Sequence, residues 1–569
     1  MGTKLKKFIQ DADYYYQKAF DKSDAGDLIG CLEFLRRAQS FSGDPYCNEN
    51  LAIRLEIAAI YAELGLYEES NREYYSLAAV DYALDEVYYG LIKNYAMLDM
   101  PEQAAHYLSF GIETGALLPE DDIESIDLGF LKKNEAPHIR LVKENDCTHT
   151  VRAARQLLCS SDTEFARKLL KTVSESSEQY NEASNYLALI EIGEGNVEEG
   201  IRLCDRVLEN EPLNLYALTT RVLAFELGER KADARSAVAA LDALDFNEWP
   251  DTAKVALCAA QIGDAEIAYK YLLRSLAFAP YDRELLLLHV LTSANLGKRR
   301  EAKDAAVTLQ ALYPTDVTVR YYAREIDKAS PAPTFFGLVP ELPKDECKKL
   351  GEILEQAVET YGVTGKLFRA MQKNGELNEA VLWGLTLGNT LSATLARILA
   401  RDPAGYSTVT ELLVDPDYSI ISKKEIFFEL LCGERVREIP MTVNHQLQWY
   451  RPHIPAKGTC HKTLLRAYRR VYSTLVFIDS GFDRRLNQWF KKISGGFKTT
   501  GTIEFSENAV AAVLAYKSRI NKIFALIPHA CEVFGCTEEE FMVFYNRLGD
   551  ASVSESRRNK QKGESDEDS

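Results

Sequence analysis

The chain has 569 residues, 46% of them hydrophobic, and a formal net charge of −18. That length holds several cores, and that acidity argues against a nucleic-acid or membrane-surface role for the molecule as a whole. Eleven cysteines, with no CxxC pair, read as reduced thiols, and no apolar run reaches the length of a membrane span. A cytoplasmic protein without membrane insertion is therefore expected, and the opening MGTKLKKFIQ has no apolar core of a secretory signal.

Residues 1–118 read as a first block of helical hairpins. Gly26 to Phe41, GDLIGCLEFLRRAQSF, is the second helix of one hairpin. Ile57, Ala58 and Tyr61, followed by Ser70, Tyr74 and Leu77, make the next. Leu91 and Tyr95, followed by Ala104, Leu108 and Gly111, make a third. Residues 119–150 are polar, carry no such register, and read as a connecting segment with a short extended piece at 138–142.

Residues 151–328 form a second block, opening with a degenerate hairpin marked by Ala154, Ala166 and Leu170. The pattern then becomes regular. GNVEEGIRLCDRVLENEP, GDAEIAYKYLLRSLAFAP and GKRREAKDAAVTLQALYP start at Gly195, Gly263 and Gly297 and end at Pro212, Pro280 and Pro314. With Gly228 included, the glycines are 33, 35 and 34 residues apart. Small residues at fixed positions let paired helices approach, and proline ends the second helix of each pair. One such pair cannot bury its apolar face alone, so copies must stack.

A period of 34 with Leu187, Ala188, Gly200 and Cys204, then Val255, Ala256, Ala268 and Leu272, then Ala302 and Leu309, resembles the tetratricopeptide repeat (TPR). The resemblance covers residues 10–328. It implies an α-solenoid of seven to eight helical hairpins whose first helices line a concave wall. In that register the wall residues include Tyr16, Phe20, Leu55, Tyr89, Lys93, Asn185, Leu189, Leu257 and Leu291. The Lys and Asn set by which some members of the family clamp a peptide's terminal carboxylate is absent. A mainly apolar wall of this kind suits an amphipathic helix or an extended peptide.

Residues 329–344, ASPAPTFFGLVPELPK, hold four prolines and read as a linker. Residues 345–548 read as a mainly helical C-terminal domain. Ser422 to Glu425 has the form of a capping box. Ile439, Met441, Val443, His445, Leu447 and Trp449 alternate with mostly polar residues, which predicts a strand or an extended hairpin arm. Residues 549–569 are polar throughout and predict a disordered tail.

No catalytic pattern emerges. GGF at 495–497 lacks the Lys-Ser/Thr of a phosphate loop, and GxSxG and HExxH are absent. His445, His453, Cys460 and His461 follow no zinc-ligand spacing, and neutral imidazoles on a half-buried strand account for them. Neither metal nor cofactor is expected. Ala530 to Leu548 resembles the helix-turn-helix of bacterial regulators, with Gly535 at the turn and Thr537 and Glu540 capping the second helix. Glu538, Glu539 and Glu540 stand where DNA would approach, so a hairpin used for packing is the better reading.

Residues 444–498 carry eleven Lys and Arg against two Asp, a net +9. Arg466, Arg469, Arg470, Lys491 and Lys492, interleaved with aromatics, form a candidate basic patch. The leading expectation is a non-catalytic scaffold or adaptor that binds a protein or peptide through the concave wall. The alternative is a nucleic-acid-binding regulator that uses the basic segment, with the repeats sensing a partner.

Overall fold

A computed structural model describes residues 11–41, 44–117, 146–159, 163–328, 335–362, 365–402, 405–433, 438–443, 445–450, 460–476, 483–495, 497, 505–518 and 526–548. Most of the expected connecting segment, the first half of the Pro-rich linker, His453 and the tail 549–569 lie outside the described residues. The chain is mainly α-helical, with one two-stranded sheet among the described residues. Its contacts divide it into two units. One comprises Met1–Asp44, Ala59–Ser70 and Asp122–Lys344, and the other Pro45–Ala58, Asn71–Asp121 and Asp345–Ser569.

In the first unit the 34-residue register appears as paired helices: Tyr180–Gly193 with Val197–Asn210, Leu215–Leu227 with Lys231–Leu244, Asp251–Gln261 with Ala265–Phe278, and Arg283–Asn295 with Arg299–Leu312. Helix Val317–Lys328 follows. The predicted contact positions Ala188, Cys204, Val255, Ala256, Ala268, Leu272 and Ala302 are fully buried. Gly200 is a true close approach: a Cβ there would lie 2.3 Å from Ile192 Cγ1.

Each pair turns through a left-handed residue, at Gly195 (φ 87°), Gly263 (φ 78°) and Gly297 (φ 72°). In the remaining pair that residue is Glu229 (φ 58°), one place after Gly228. Positions 195, 229, 263 and 297 recur every 34 residues, so the uneven glycine spacing reflects a slip of the glycine and not of the backbone. Glu229, unlike glycine, adopts this conformation at a cost of roughly 1 to 2 kcal/mol.

The degenerate hairpin Thr148–Cys159 and Thr163–Leu170 packs through Val151, Ala154, Ala166 and Leu170 onto Ala183 and Ile190. The first hairpin, Ala12–Asp24 with Leu28–Gln39, is capped by Asp11 and Asp27, which accept from Tyr14 and Gly30 amides. It packs against helix Arg299–Leu312. Arg36 donates to the carbonyl oxygens of Ala311 and Leu312, and the Tyr61 hydroxyl donates to Leu312 at 2.7 Å. These donors satisfy carbonyls that a helix end leaves open, and a cation suits that end of the dipole.

In the second unit, helix Leu84–Met97 pairs with Pro101–Thr114. A β-hairpin from much later in the chain packs on Pro101–Thr114. Strands β1 (Ile439–Val443) and β2 (Gln446–Tyr450) are antiparallel, with Ile439 opposite Tyr450 and Val443 opposite Gln446. The predicted alternation therefore splits into two strands around a tight turn at His445 (φ 59°). Ile439, Met441 and Leu447 are buried, and Trp449 stacks on Phe110 with centroids 6.1 Å apart. The hydroxyls of Tyr75 and Tyr107 lie 3.0 and 2.9 Å from the His445 carbonyl oxygen. The Leu447 amide donates to the Tyr107 oxygen at 2.9 Å.

Other links in this unit are ionic. Arg54 pairs with Glu73 at 2.7 Å and Glu411 at 3.0 Å, and Arg72 pairs with Asp417 at 3.1 Å. The helix expected to open at Ser422 runs over Ile420–Gly433. Ser422 lies inside it, fully buried, with its hydroxyl 3.0 Å from that of Ser392, so it is a packing residue and not a cap. Downstream are Lys462–Leu475, Asp483–Gly495, Glu507–Ser518, Ile527–Phe534 and a helix at 538–548. Gly535 is left-handed, the Thr537 amide donates to Glu540 at 2.9 Å, and Phe541 and Phe544 are fully buried. The local turn is as expected, with both aromatics spent on packing.

Candidate peptide-binding groove

The candidate site lies in the first unit, on the first helices of the later repeats. Residues 257 and 261 are one turn apart on Asp251–Gln261, and 287, 291 and 295 are so spaced on Arg283–Asn295. An open depression of about 630 Å3 is lined by Leu257, Ala260 and Gln261, by Asp282, Arg283 and Glu284, and by residues 338–341. The wall is apolar along Leu257 and Ala260 and charged at its far edge. Asp282 caps its helix by accepting from the Leu285 amide, and Arg283 is held by Asp316 at 2.5 Å.

Residues 335–341, FFGLVPE, form the other bank. The Asn295 side-chain amide donates to the Phe336 carbonyl at 2.8 Å, and its oxygen accepts from the Phe336 amide at 2.8 Å. Tyr322 donates to the Glu341 carbonyl at 2.9 Å. Phe336 packs against the cluster of Val290, Ala302, Ala306 and Ile326 and edge-on to Tyr322. Burial alternates along the segment: Phe336, Leu338 and Pro340 are wholly or partly buried, while Phe335, Gly337, Val339 and Glu341 are exposed. What reads as linker in the sequence is, from residue 335, a segment without helix or strand, bent at residues 338–341 and held on the repeats.

The expected wall residues fare differently. Leu257 lines the depression. Leu291 is fully buried and cannot line an open wall. The reason is its helix: residues 285–293 are all buried, so Arg283–Asn295 is apolar all round and interior, and Leu291 supports the wall from beneath. Asn185 is also buried and donates to Asn214 at 3.2 Å, while Leu189 is exposed. Tyr16 is half-buried, edge-on to the exposed Phe20. Leu55, Tyr89 and Lys93 belong to the second unit, with Leu55 half-buried and the other two exposed. Asn295, Tyr322, Phe336 and Leu338 were not singled out from the sequence. The signal was there, in the alternation of Phe336, Leu338 and Pro340.

The basic residues do not gather into a bare cationic face. Arg469 is only 3% exposed. Arg466 pairs with Glu507 at 2.7 Å, and Arg470 pairs with Glu425 and lies 3.7 Å over the Phe428 ring. Lys491 and Lys492 face solvent. No group of three or more potential metal ligands occurs among the described residues. His461 caps its helix by accepting from the Thr463 amide, and His445 lies at the hairpin turn.

No protein-family model matches the chain. A curated relative, the TPR repeat-containing protein YvcD of Bacillus subtilis (strain 168), is 26% identical over 280 residues, covering 48% of this chain. Over that span the chain is similar to a tetratricopeptide-repeat protein. The match spans 55% of the relative's own length, so about half of each protein is compared. A solved TPR protein from Parabacteroides merdae shares 15% identity and covers 47% of this chain and 92% of its own, with a TM-score of 0.21. No helix among the described residues is long and apolar enough to cross a membrane.

Proposed function

We propose that this protein is a non-catalytic, cytoplasmic, TPR-type scaffold or adaptor that binds a protein partner by holding a segment along the first-helix wall of its later repeats. The observation behind this reading is the Asn295–Phe336 pair, in which one side chain satisfies both backbone polar groups of a residue outside any helix or strand. The depression lined by Leu257 and Gln261 opens directly beside residues 338–341 of that segment. The division into repeat blocks 1–118 and 151–328, joined to a C-terminal domain at 345–548, belongs to the same proposal. The involvement of partly exposed Tyr16 and Tyr89 as further contacts does too.

The test is partner capture by the full chain and by Leu257→Arg/Gln261→Arg, with circular dichroism as the control for folding. Loss of capture by a natively folded variant is expected. Capture at full strength would remove the wall from the binding role. A nucleic-acid role finds less support, because Arg466, Arg469 and Arg470 are paired or buried.

A further inference from the structure

We infer that residues 335–341 are an intramolecular ligand of the groove, and that the external partner presents a segment of the same pattern: a bulky apolar residue, then an aliphatic one two places on, then proline two places further. The inference rests on the peptide-binding reading above and adds what is bound and what competes for the site. Three observations carry it.

The first is how the segment is held. Asn295 closes two 2.8 Å hydrogen bonds on the backbone of a single residue, and Tyr322 holds the carbonyl of Glu341. Contacts to main-chain groups recognise a backbone whatever its sequence, while pockets for alternate side chains set the choice. Here those pockets take Phe336 and Leu338, the latter 6% exposed. Pro340, partly buried, follows.

The second is how loosely the segment is covered. Phe335 is 80% and Val339 49% exposed, so two of the segment's bulky apolar side chains are left uncovered. A piece of permanent core would bury them.

The third is open space beside the segment. Between Leu257, Ala260 and Gln261 on one side and Leu338–Glu341 on the other lies a depression that no side chain of the described residues fills. A longer segment from a partner gains contacts there that the resident cannot make. An internal competitor lowers apparent affinity by the fraction of molecules whose groove is vacant.

The test uses the full chain and a fluorescein-labelled, end-blocked peptide TFFGLVPELP. Wild type is compared with Phe336→Asp/Leu338→Asp, which expels the resident segment, and with the same variant carrying Asn295→Ala. The released variant should bind at least about tenfold tighter than wild type, and Asn295→Ala should remove most of that gain. No binding to the released variant, or equal binding to wild type, overturns the inference. Phe336→Ala serves if the two charges disturb folding. Amide exchange gives an independent readout: the Phe336 amide should be protected in wild type and lose protection in Asn295→Ala. Equal exchange in the two proteins also overturns the inference. Either failure leaves the Leu257→Arg/Gln261→Arg capture result standing. Unimpaired capture by that variant, with the peptide still competing, would instead indict the wider wall.

Discussion

The hydroxyl of Tyr107 lies 2.9 Å from the carbonyl oxygen of His445, at the turn of the β-hairpin that covers helix Pro101–Thr114. Burial pushes the Tyr107 and Tyr75 phenols well above their ordinary pKa, so both remain protonated donors at any ordinary pH. Tyr107→Phe strips the Leu447 amide of its acceptor in a buried place. Tyr75 still serves His445, so the loss should be about 1 to 3 kcal/mol. A urea midpoint equal to wild type would show that the hairpin is not held this way.

Gly200→Ala sets two effects against each other. Helix propensity favours alanine by roughly 0.5 to 1 kcal/mol. The new Cβ, however, would fall 2.3 Å from Ile192 Cγ1 and 3.3 Å from the Ala188 carbonyl oxygen, and overpacking costs about 1 to 3 kcal/mol. Destabilisation should win. A stabilised variant in thermal unfolding would mean that the helices at this pair are free to move apart.

His289 gives a pH test. It is buried on helix Arg283–Asn295, stacked on Tyr269, and burial lowers its pKa. Lys298 adds to that effect and Glu301 opposes it. Its Nδ1 has no hydrogen-bond partner among the described residues. Burial likewise lowers the pKa of His106, with Glu113 opposing. The unfolded chain takes up these protons near pH 6.5 and the folded chain only below it. The unfolded state therefore binds more protons in that window, and stability should fall as pH drops below about 6.5. Urea midpoints at pH 7.5 and 5.5 measure this. His289→Leu should flatten part of the slope, and an unchanged slope would assign it to other groups.

For nucleic acid the expected outcome is little binding. The intact chain, titrated with a labelled single strand at about 0.15 M salt, should show weak affinity, because surface cations are screened beyond about 8 Å. The ion pairs of Arg466 and Arg470 are already formed within the C-terminal helices. Tight binding that collapses with added salt would restore the regulator reading.

The repeats were legible because stacking imposes a period on the chain. Small residues such as Ala188 and Ala268 must recur wherever helices touch, and glycines wherever the turn goes left-handed. The exception is instructive: Glu229 takes the left-handed place beside Gly228, and a rule keyed to glycine misplaces the turn by one residue. The packing of the first hairpin on helix Arg299–Leu312 was not legible, since a contact between residues 36 and 311 leaves no periodic trace. Leu291 was misjudged because family register assigns a face without saying what covers it. The segment at Phe336 was hidden by its prolines. They exclude a helix and so read as linker, yet they are compatible with a bound peptide segment.

The hairpin at residues 439–450 also decides where growth stops. A stack of helical pairs is open at its last member, and the face that would accept the next pair accepts an equivalent face from another molecule just as well. Repeat arrays stay soluble by closing that end. Here the closure is a strand pair with Trp449 on Phe110 and the turn carbonyl on Tyr107, supplied from more than three hundred residues downstream. A chain cut before Ile439 would lose the contacts that the hairpin makes with Tyr107 and Phe110, and self-association of that shortened chain in sedimentation velocity is the expected outcome.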